Sequence, residues 1–268
     1  MAVAPTLNDI RVIAPILEDK LKLDIYNFAL SFLRRRFAYV FKQLNIKNVS
    51  YFIDEIKKGN LVSDFLYHFN VSDTEMFRDP SFWRTLRNKL LPLFNGSNIN
   101  IWLPEVVSIH ELFSLLVILR EVDLLESVNI YCNSPSKNII KEIQDGKVPL
   151  KTIEVSKQNF KRLELHSHFE DYFLEEDNTI TINKEFLKNV IFINNSYFNE
   201  GPGNEIDITL FRNRMIYYNS KLQTKAENEI FKYIKKGGFL ALGIRENISK
   251  TNSMLLETHD KNEQIFKV

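Results

Sequence analysis

The sequence predicts a mixed α/β chain: an all-helical first third, then a doubly wound, mostly parallel sheet with a small antiparallel insertion. Three observations predict it. Apolar residues return at three- and four-residue spacing through roughly the first ninety positions. Beyond residue 98, short apolar runs alternate with helical stretches, the order that winds a parallel sheet. One segment, Thr179-Ile180-Thr181-Ile182-Asn183, alternates polar and apolar and interrupts that rhythm. A chain of 268 residues has room for one large or two modest domains, and the change of pattern divides it into 1–94 and 95–268, with the insertion at about 150–190.

The elements follow in order. From Leu21 to Leu44 one apolar stripe runs through Ile25, Phe28, Ala29, Phe32, Phe37, Val40 and Phe41. Ser50 is placed to cap a short helix bearing Ile53 and Ile56 and ending at Gly59. Asn60 to Phe69 gives another helix, and Asp79-Pro80 starts a further one that Pro92 stops. The turn cluster Asn95-Gly96-Ser97-Asn98 makes Pro92–Ile99 the linker. Strand 100–104, helix His110–Glu121, strand 128–132 and helix Lys137–Gln144, closed by Gly146, set up the parallel sheet. Strands 190–193 and 206–211 and a helix from Ser220 to Lys235 continue it. Lys236-Gly237-Gly238 turns the chain into strand 239–243, and 265–268 supplies an edge or antiparallel strand.

Composition excludes more than it identifies. Hydrophobic residues at 44% and charged residues at 26% are those of a globular chain, and no apolar run is long enough for a membrane span. The opening Met1-Ala2-Val3-Ala4-Pro5 is no secretory signal, and the lone Cys132 suits a reducing compartment, so the expected location is cytoplasmic. A net charge of +1 gives no reason to expect nucleic acid. His166-Ser167-His168 lacks an evident third ligand, so no metal is expected, and Cys132, ending an apolar strand, reads as a buried thiol. Glycine is scarce, eight residues in all, well below the usual frequency of about 7%.

Three blocks carry a resemblance. Thr74-Glu75-Met76-Phe77-Arg78-Asp79 is followed by Phe82-Trp83 and Leu90-Leu91-Pro92; later come Phe211-Arg212-Asn213-Arg214-Met215-Ile216-Tyr217-Tyr218 and Gly237-Gly238-Phe239-Leu240-Ala241-Leu242-Gly243 with Glu246-Asn247. In order and spacing these resemble the CheR family of chemotaxis receptor methyltransferases. The resemblance implies a helical N-terminal domain joined to a Rossmann-like class I methyltransferase sheet with a small antiparallel insertion. It implies methyl transfer from S-adenosylmethionine to receptor glutamates, chemistry that asks mainly for alignment and desolvation. Residue by residue, it makes Arg78 and Tyr217 the positioning pair at the reacting carboxylate. Thr74, Arg78, Glu111, Ser134, Asn195, Arg212 and Asn213 become the cofactor-side positions. Arg34-Arg35-Arg36 becomes the basic face that meets an acidic chemoreceptor helix. Without the resemblance, Arg78 would simply pair with Asp79 or a helix end, and Arg212-Asn213 would cap the strand-to-helix turn.

Two stretches depart from the family. Glu105 and Ile109 stand where its glycine-rich turn has glycines, and a β-branched residue there would be strained unless the loop is rebuilt. Asn133-Ser134-Pro135-Ser136 replaces the block holding the ribose-binding acid, so Ser134 offers one hydrogen bond where a carboxylate offers a charge-assisted pair. The expectation is therefore a CheR-like signalling protein with a weakened or lost S-adenosylmethionine site, acting by binding a receptor or another partner. The alternative is an active protein-glutamate O-methyltransferase.

Overall fold

The structure, a computed structural model, describes residues 3–72, 75–94, 98–176 and 179–268. Thr74 and the turn cluster Asn95-Gly96-Ser97 lie outside the described residues.

The N-terminal helices are α1 (Leu7–Leu21), α2 (Leu30–Gln43), α3 (Val49–Lys58) and α4 (Val62–Phe69). Thr6 opens α1 through a reciprocal cap: the Asp9 N–H donates to Thr6 Oγ1 at 3.2 Å and the Thr6 N–H to Asp9 Oδ2 at 2.7 Å. The stripe expected to be continuous from Leu21 to Leu44 is broken. Lys22 turns left-handed (φ 55°), Ile25–Asn27 forms a single tight turn, and Phe28 is extended. The cause is tertiary. The Ala29 N–H donates to Tyr217 O at 2.7 Å and the Asn219 N–H to Asn27 O at 2.9 Å, which pulls the chain straight against a later loop. The cap of α3 is Asn48 rather than Ser50: its Oδ1 accepts from the Tyr51 N–H at 2.7 Å, and the Ser50 hydroxyl merely donates to the same oxygen. Buried Phe32, Phe37, Phe41, Phe52, Phe65 and Phe69 fill the space between these helices.

Pro80 occupies the first position of α5 (Pro80–Thr85), where its missing N–H is no loss. Pro92 does not stop the helix that follows. One wide turn (Leu86–Leu90) and one tight turn (Leu91–Phe94) carry the chain through it. Met76, Phe77, Phe82, Trp83, Leu86, Leu90 and Leu91 pack into the core of the sheet rather than into the phenylalanine core of α1–α4.

The chain then runs through β1 (Ile99–Leu103), α6 (Ile109–Glu121), β2 (Val128–Asn133), α7 (Lys137–Asp145), β3 (Lys147–Val148), α8 (Ile153–Lys161), β4 (Phe173–Glu176) and β5 (Thr179–Ile182). It continues with β6 (Val190–Ile193), β7 (Ile206–Phe211), α9 (Ser220–Phe231), β8 (Ile234–Leu242), β9 (Glu257–Asp260) and β10 (Ile265–Lys267). Among the described residues the main sheet has the order β6-β2-β1-β7-β8-β10-β9, its first five strands parallel, and β10 antiparallel to both β8 and β9. The insertion forms its own antiparallel sheet, β3-β5-β4. Two expectations change. Helix α9 ends at Phe231 instead of Lys235, and Lys236-Gly237-Gly238 lies inside β8 instead of before it. The register with β7 slips there, and Gly237 takes φ +82°, so the glycines make a bulge. Strand β9 is exposed for most of its length and carries no apolar alternation for sequence reasoning to detect.

Candidate functional site

In an open α/β sheet, ligands sit outside the carboxyl ends of the strands where the strand order reverses. Here that point lies between β1 and β7, flanked by the end of β2.

At the end of β1 the loop needs no left-handed residue. No residue from Pro104 to Ile109 has positive φ; Ser108 is extended (φ −162°) and Ile109 is the first residue of α6, with its side chain buried. Val106 and Val107 are buried beside it, and the Val106 N–H donates to Asn133 O at 2.8 Å. That bond ties the β1 loop to the end of β2. Glu105 Oε2 accepts from the Tyr218 hydroxyl at 2.9 Å, and the Tyr197 hydroxyl lies 3.4 Å from that of Tyr218. Burial, then the charge of Glu105, push both tyrosine hydroxyls well above their ordinary range.

The end of β2 is equally closed. Asn133 Oδ1 accepts from the Trp102 indole N–H at 2.8 Å, and its amide donates to Glu200 O at 2.7 Å. Ser134 is 1% exposed and its Oγ has no hydrogen-bond partner. Asn195 is turned to local contacts: its amide donates to Glu200 Oε2 at 3.1 Å and its Oδ1 accepts from the Ser196 N–H. One cavity between these strand ends and the N-terminal helices holds about 50 Å³, walled by Phe28, Phe32, Phe69, Tyr197, Tyr217 and Pro135 among others, and a second, of about 780 Å³, runs along Val107, Ser108, Ile109 and His110 of the loop after β1. Tyr217 leans against Phe32, their ring centres 4.6 Å apart.

The end of β7 is built differently. Arg78, Glu111, Arg212 and Asn213 gather with Glu75 and Trp83 around one small depression. Tyr217, expected beside Arg78, lines the aromatic cavity instead. Arg212 is 2% exposed; it pairs with Asp79 at 2.9 Å and with Glu111 at 3.5 Å, and lies 3.8 Å over the Phe82 ring. Asp79 therefore pairs with Arg212 and not with its neighbour Arg78, whose carbonyl accepts from the Trp83 indole N–H at 2.9 Å. Asn213 is left-handed (φ 59°), and the turn it makes is held by Glu246. The Glu246 carboxylate accepts from the N–H groups of Asn213 and Gly243, both at 2.7 Å, and of Ile216 at 3.1 Å. Burial outweighs these bonds and raises the Glu246 pKa above its ordinary value. A Cβ at position 243 would lie 2.6 Å from Asn213 Oδ1 and 2.9 Å from Glu246 Oε2, so only glycine admits this contact.

Glu246 is a functional position that residue types alone do not mark; its spacing after Gly243 is the available signal. The tyrosine pair at Glu105 had no sequence signal, because Tyr197, Tyr218 and Glu105 meet only in the fold. The three expected docking arginines divide: Arg34 and Arg35 are exposed, whereas Arg36 is half-buried and donates to Phe69 O at 2.8 Å and to Asn70 O. Burial lowers its pKa from the ordinary arginine value. Elsewhere, the Ser167 hydroxyl donates to Glu121 at 2.9 Å, and among the described residues no cluster of three or more potential ligands could hold a metal. Burial pushes the Cys132 thiol up. No helix of the described residues is long and apolar enough to cross a membrane.

A methyltransferase-type strand order with its ligand crevice at the β1–β7 reversal defines the class, and the comparisons narrow it. The chain belongs to the CheR methyltransferase family, with residues 72–263 matching the model of the CheR methyltransferase, SAM binding domain. A Pseudomonas putida protein named "Putative methyltransferase Cher3" is 23% identical over 262 residues, covering 97% of this chain and 96% of that protein. A chemotaxis protein methyltransferase of Borreliella burgdorferi is 24% identical over 230 residues, 80% of this chain and 78% of that one. Among solved structures, the magnesium protoporphyrin IX methyltransferase of Synechocystis with bound SAM aligns over 99% of this chain and 98% of its own. The identity is 8% and the TM-score 0.38, a loose likeness.

Proposed function

We propose that this CheR-family chain has a weakened or lost S-adenosylmethionine site and acts by binding a chemoreceptor or another signalling protein. The observation that carries this reading is the loop after β1, where buried Val106, Val107 and Ile109 stand in the place that the resemblance gives to a turn of small residues. Two further features support it. The aromatic cavity that reaches Glu105, Pro135 and Tyr197 holds about 50 Å³, against the roughly 300–1,000 Å³ that ligands of this size take. Ser134, at the position of the ribose-binding acid, is enclosed and has no charge to offer. On this reading the protein works in the cytoplasm, and receptor contact falls to the exposed Arg34 and Arg35, with Arg36 engaged inside the helical domain.

A second reading, methyl transfer to receptor glutamates with Arg78 and Tyr217 positioning the carboxylate, is favoured by one observation: Arg78, Glu111, Arg212 and Asn213 share a depression. Calorimetric titration with S-adenosylmethionine and with S-adenosylhomocysteine separates the two. No heat at millimolar ligand is expected; micromolar affinity for either would restore the enzyme. Binding to receptor fragments should weaken on charge reversal at Arg34 and Arg35, and lose its salt dependence with it.

A further inference from the structure

We propose that the hydrogen bond from Tyr67 to Glu142 is a clasp that holds the N-terminal helices against the α/β unit across the larger cavity. Its release widens the way to the loop after β1, whatever binds at the strand ends.

The two units are joined in different ways on the two sides of the molecule. One side is stitched by backbone and rings. The Ala29 N–H donates to Tyr217 O at 2.7 Å and the Asn219 N–H to Asn27 O at 2.9 Å, while Phe28 meets Tyr218 with ring centres 5.1 Å apart. The stitched segments border single tight turns, Ile25–Asn27 and Met215–Tyr217, and not the middle of a long helix. A few such residues between elements are what absorbs the rotation when two units open about a hinge.

The other side holds the cavity of about 780 Å³, with α2 and α4 along one wall and α7 and the insertion along the other. There the Tyr67 hydroxyl of α4 donates to Glu142 Oε1 of α7 at 2.5 Å. Both residues line the cavity, and so do Val107, Ser108, Ile109 and His110. The bond therefore spans the space that leads to the strand ends. His68 meets the Tyr67 ring edge-on, with centres 4.9 Å apart, which helps to hold the ring in place. The bond to Glu142, then burial, push the Tyr67 hydroxyl up to about 12, so it remains a donor at neutral pH. Glu142 is exposed and Tyr67 half-buried, so water is at hand to replace the bond. Such a contact is strong enough to bias closure and weak enough to yield.

The experiment measures the separation of the units in the full chain, by pulsed electron resonance between spin labels at Lys57→Cys in α3 and Lys141→Cys in α7. Both positions are exposed, and the native Cys132 is buried away from the label. The parent should show one main distance. Tyr67→Phe keeps the ring and loses only the donor, and it should raise the population at longer distances about five- to tenfold. Glu142→Ala should do the same, and the double variant should add nothing, because each change removes the same bond. Glu142→Gln keeps an acceptor oxygen and should restore much of the parent distribution. In Tyr67→Phe, amide hydrogen exchange at residues 107–109 should quicken while the interiors of α4 and α7 keep parent rates, a pattern that general destabilisation would not give. Unchanged distances in Tyr67→Phe and Glu142→Ala would overturn the clasp, and so would effects of the two that add.

Discussion

The ends of β1 and β2 and the end of β7 face the same crevice but have been treated in opposite ways. At β1 and β2 the loop ends are packed: Val106 and Ser134 are buried, and the Val106 N–H is bonded to Asn133 O. At β7 the Arg212-Asn213 block is intact, yet its groups are spent on the fold. Arg212 is locked between Asp79, Glu111 and the Phe82 ring, and Asn213 sits in a turn clamped by Glu246. The difference teaches that a preserved motif beside a ligand site is weak evidence of catalysis when folding alone requires the same residues.

The sharpest way to break the comparison is Arg212→Leu. Removing the buried cation takes from Asp79 and Glu111 their shared partner, and losing one partner of a buried pair costs about 3–5 kcal/mol. Urea denaturation measures it. A loss below about 1 kcal/mol would mean that the block is kept for something other than the fold.

Ser134→Asp tests the closed side. An open ribose site would accept a carboxylate freely, whereas position 134 is 1% exposed. The introduced carboxyl should have its pKa raised by about two to three units, a penalty of about 3–4 kcal/mol at neutral pH. Its sign is fixed by linkage: a raised folded-state pKa leaves stability untouched below the unfolded value near 3.9, then lowers it as pH rises. Denaturation at pH 4 and pH 8 should therefore diverge, and equal losses at both would show that the crevice admits water.

Glu246→Gln should cost less, about 1–3 kcal/mol, because one carboxylate oxygen that accepts backbone N–H bonds becomes a donor facing donors. The native carboxyl has a raised pKa, so its contribution is complete below about 4.5 and declines as pH rises through the folded-state value. The gap between the two proteins should narrow with rising pH; a gap that widens would contradict the assigned cause.

Most of the sheet was legible in the sequence, because buried parallel strands such as 128–133 and 206–211 are apolar runs bounded by helices. The absence of a left-handed turn after β1 was legible too, since a β-branched residue such as Ile109 avoids positive φ. Long-range pairing was not. The break at Lys22–Ala29 depends on Tyr217 and Asn219, nearly two hundred residues away, and the local stripe through Phe28 and Phe32 argued for unbroken helix. The partner of Asp79 was misjudged for the same reason, because a neighbour in sequence, Arg78, was available and the true partner lay 133 residues on.

The smallest effects separate the three arginines of α2, where a single charged run in the sequence becomes two environments in the fold. Arg36→Ala removes donors from Phe69 O and Asn70 O and the guanidinium from the Tyr39 ring, so it should destabilise the helical domain by about 1–2 kcal/mol. Arg34→Glu and Arg35→Glu project into water and should change stability by no more than about 0.5 kcal/mol. Their effect should instead show in the salt dependence of partner binding, where removing exposed cations flattens the slope. If Arg36→Ala proved as silent in denaturation as the other two, the contacts to α4 would be incidental, and all three side chains would again be free to meet a partner.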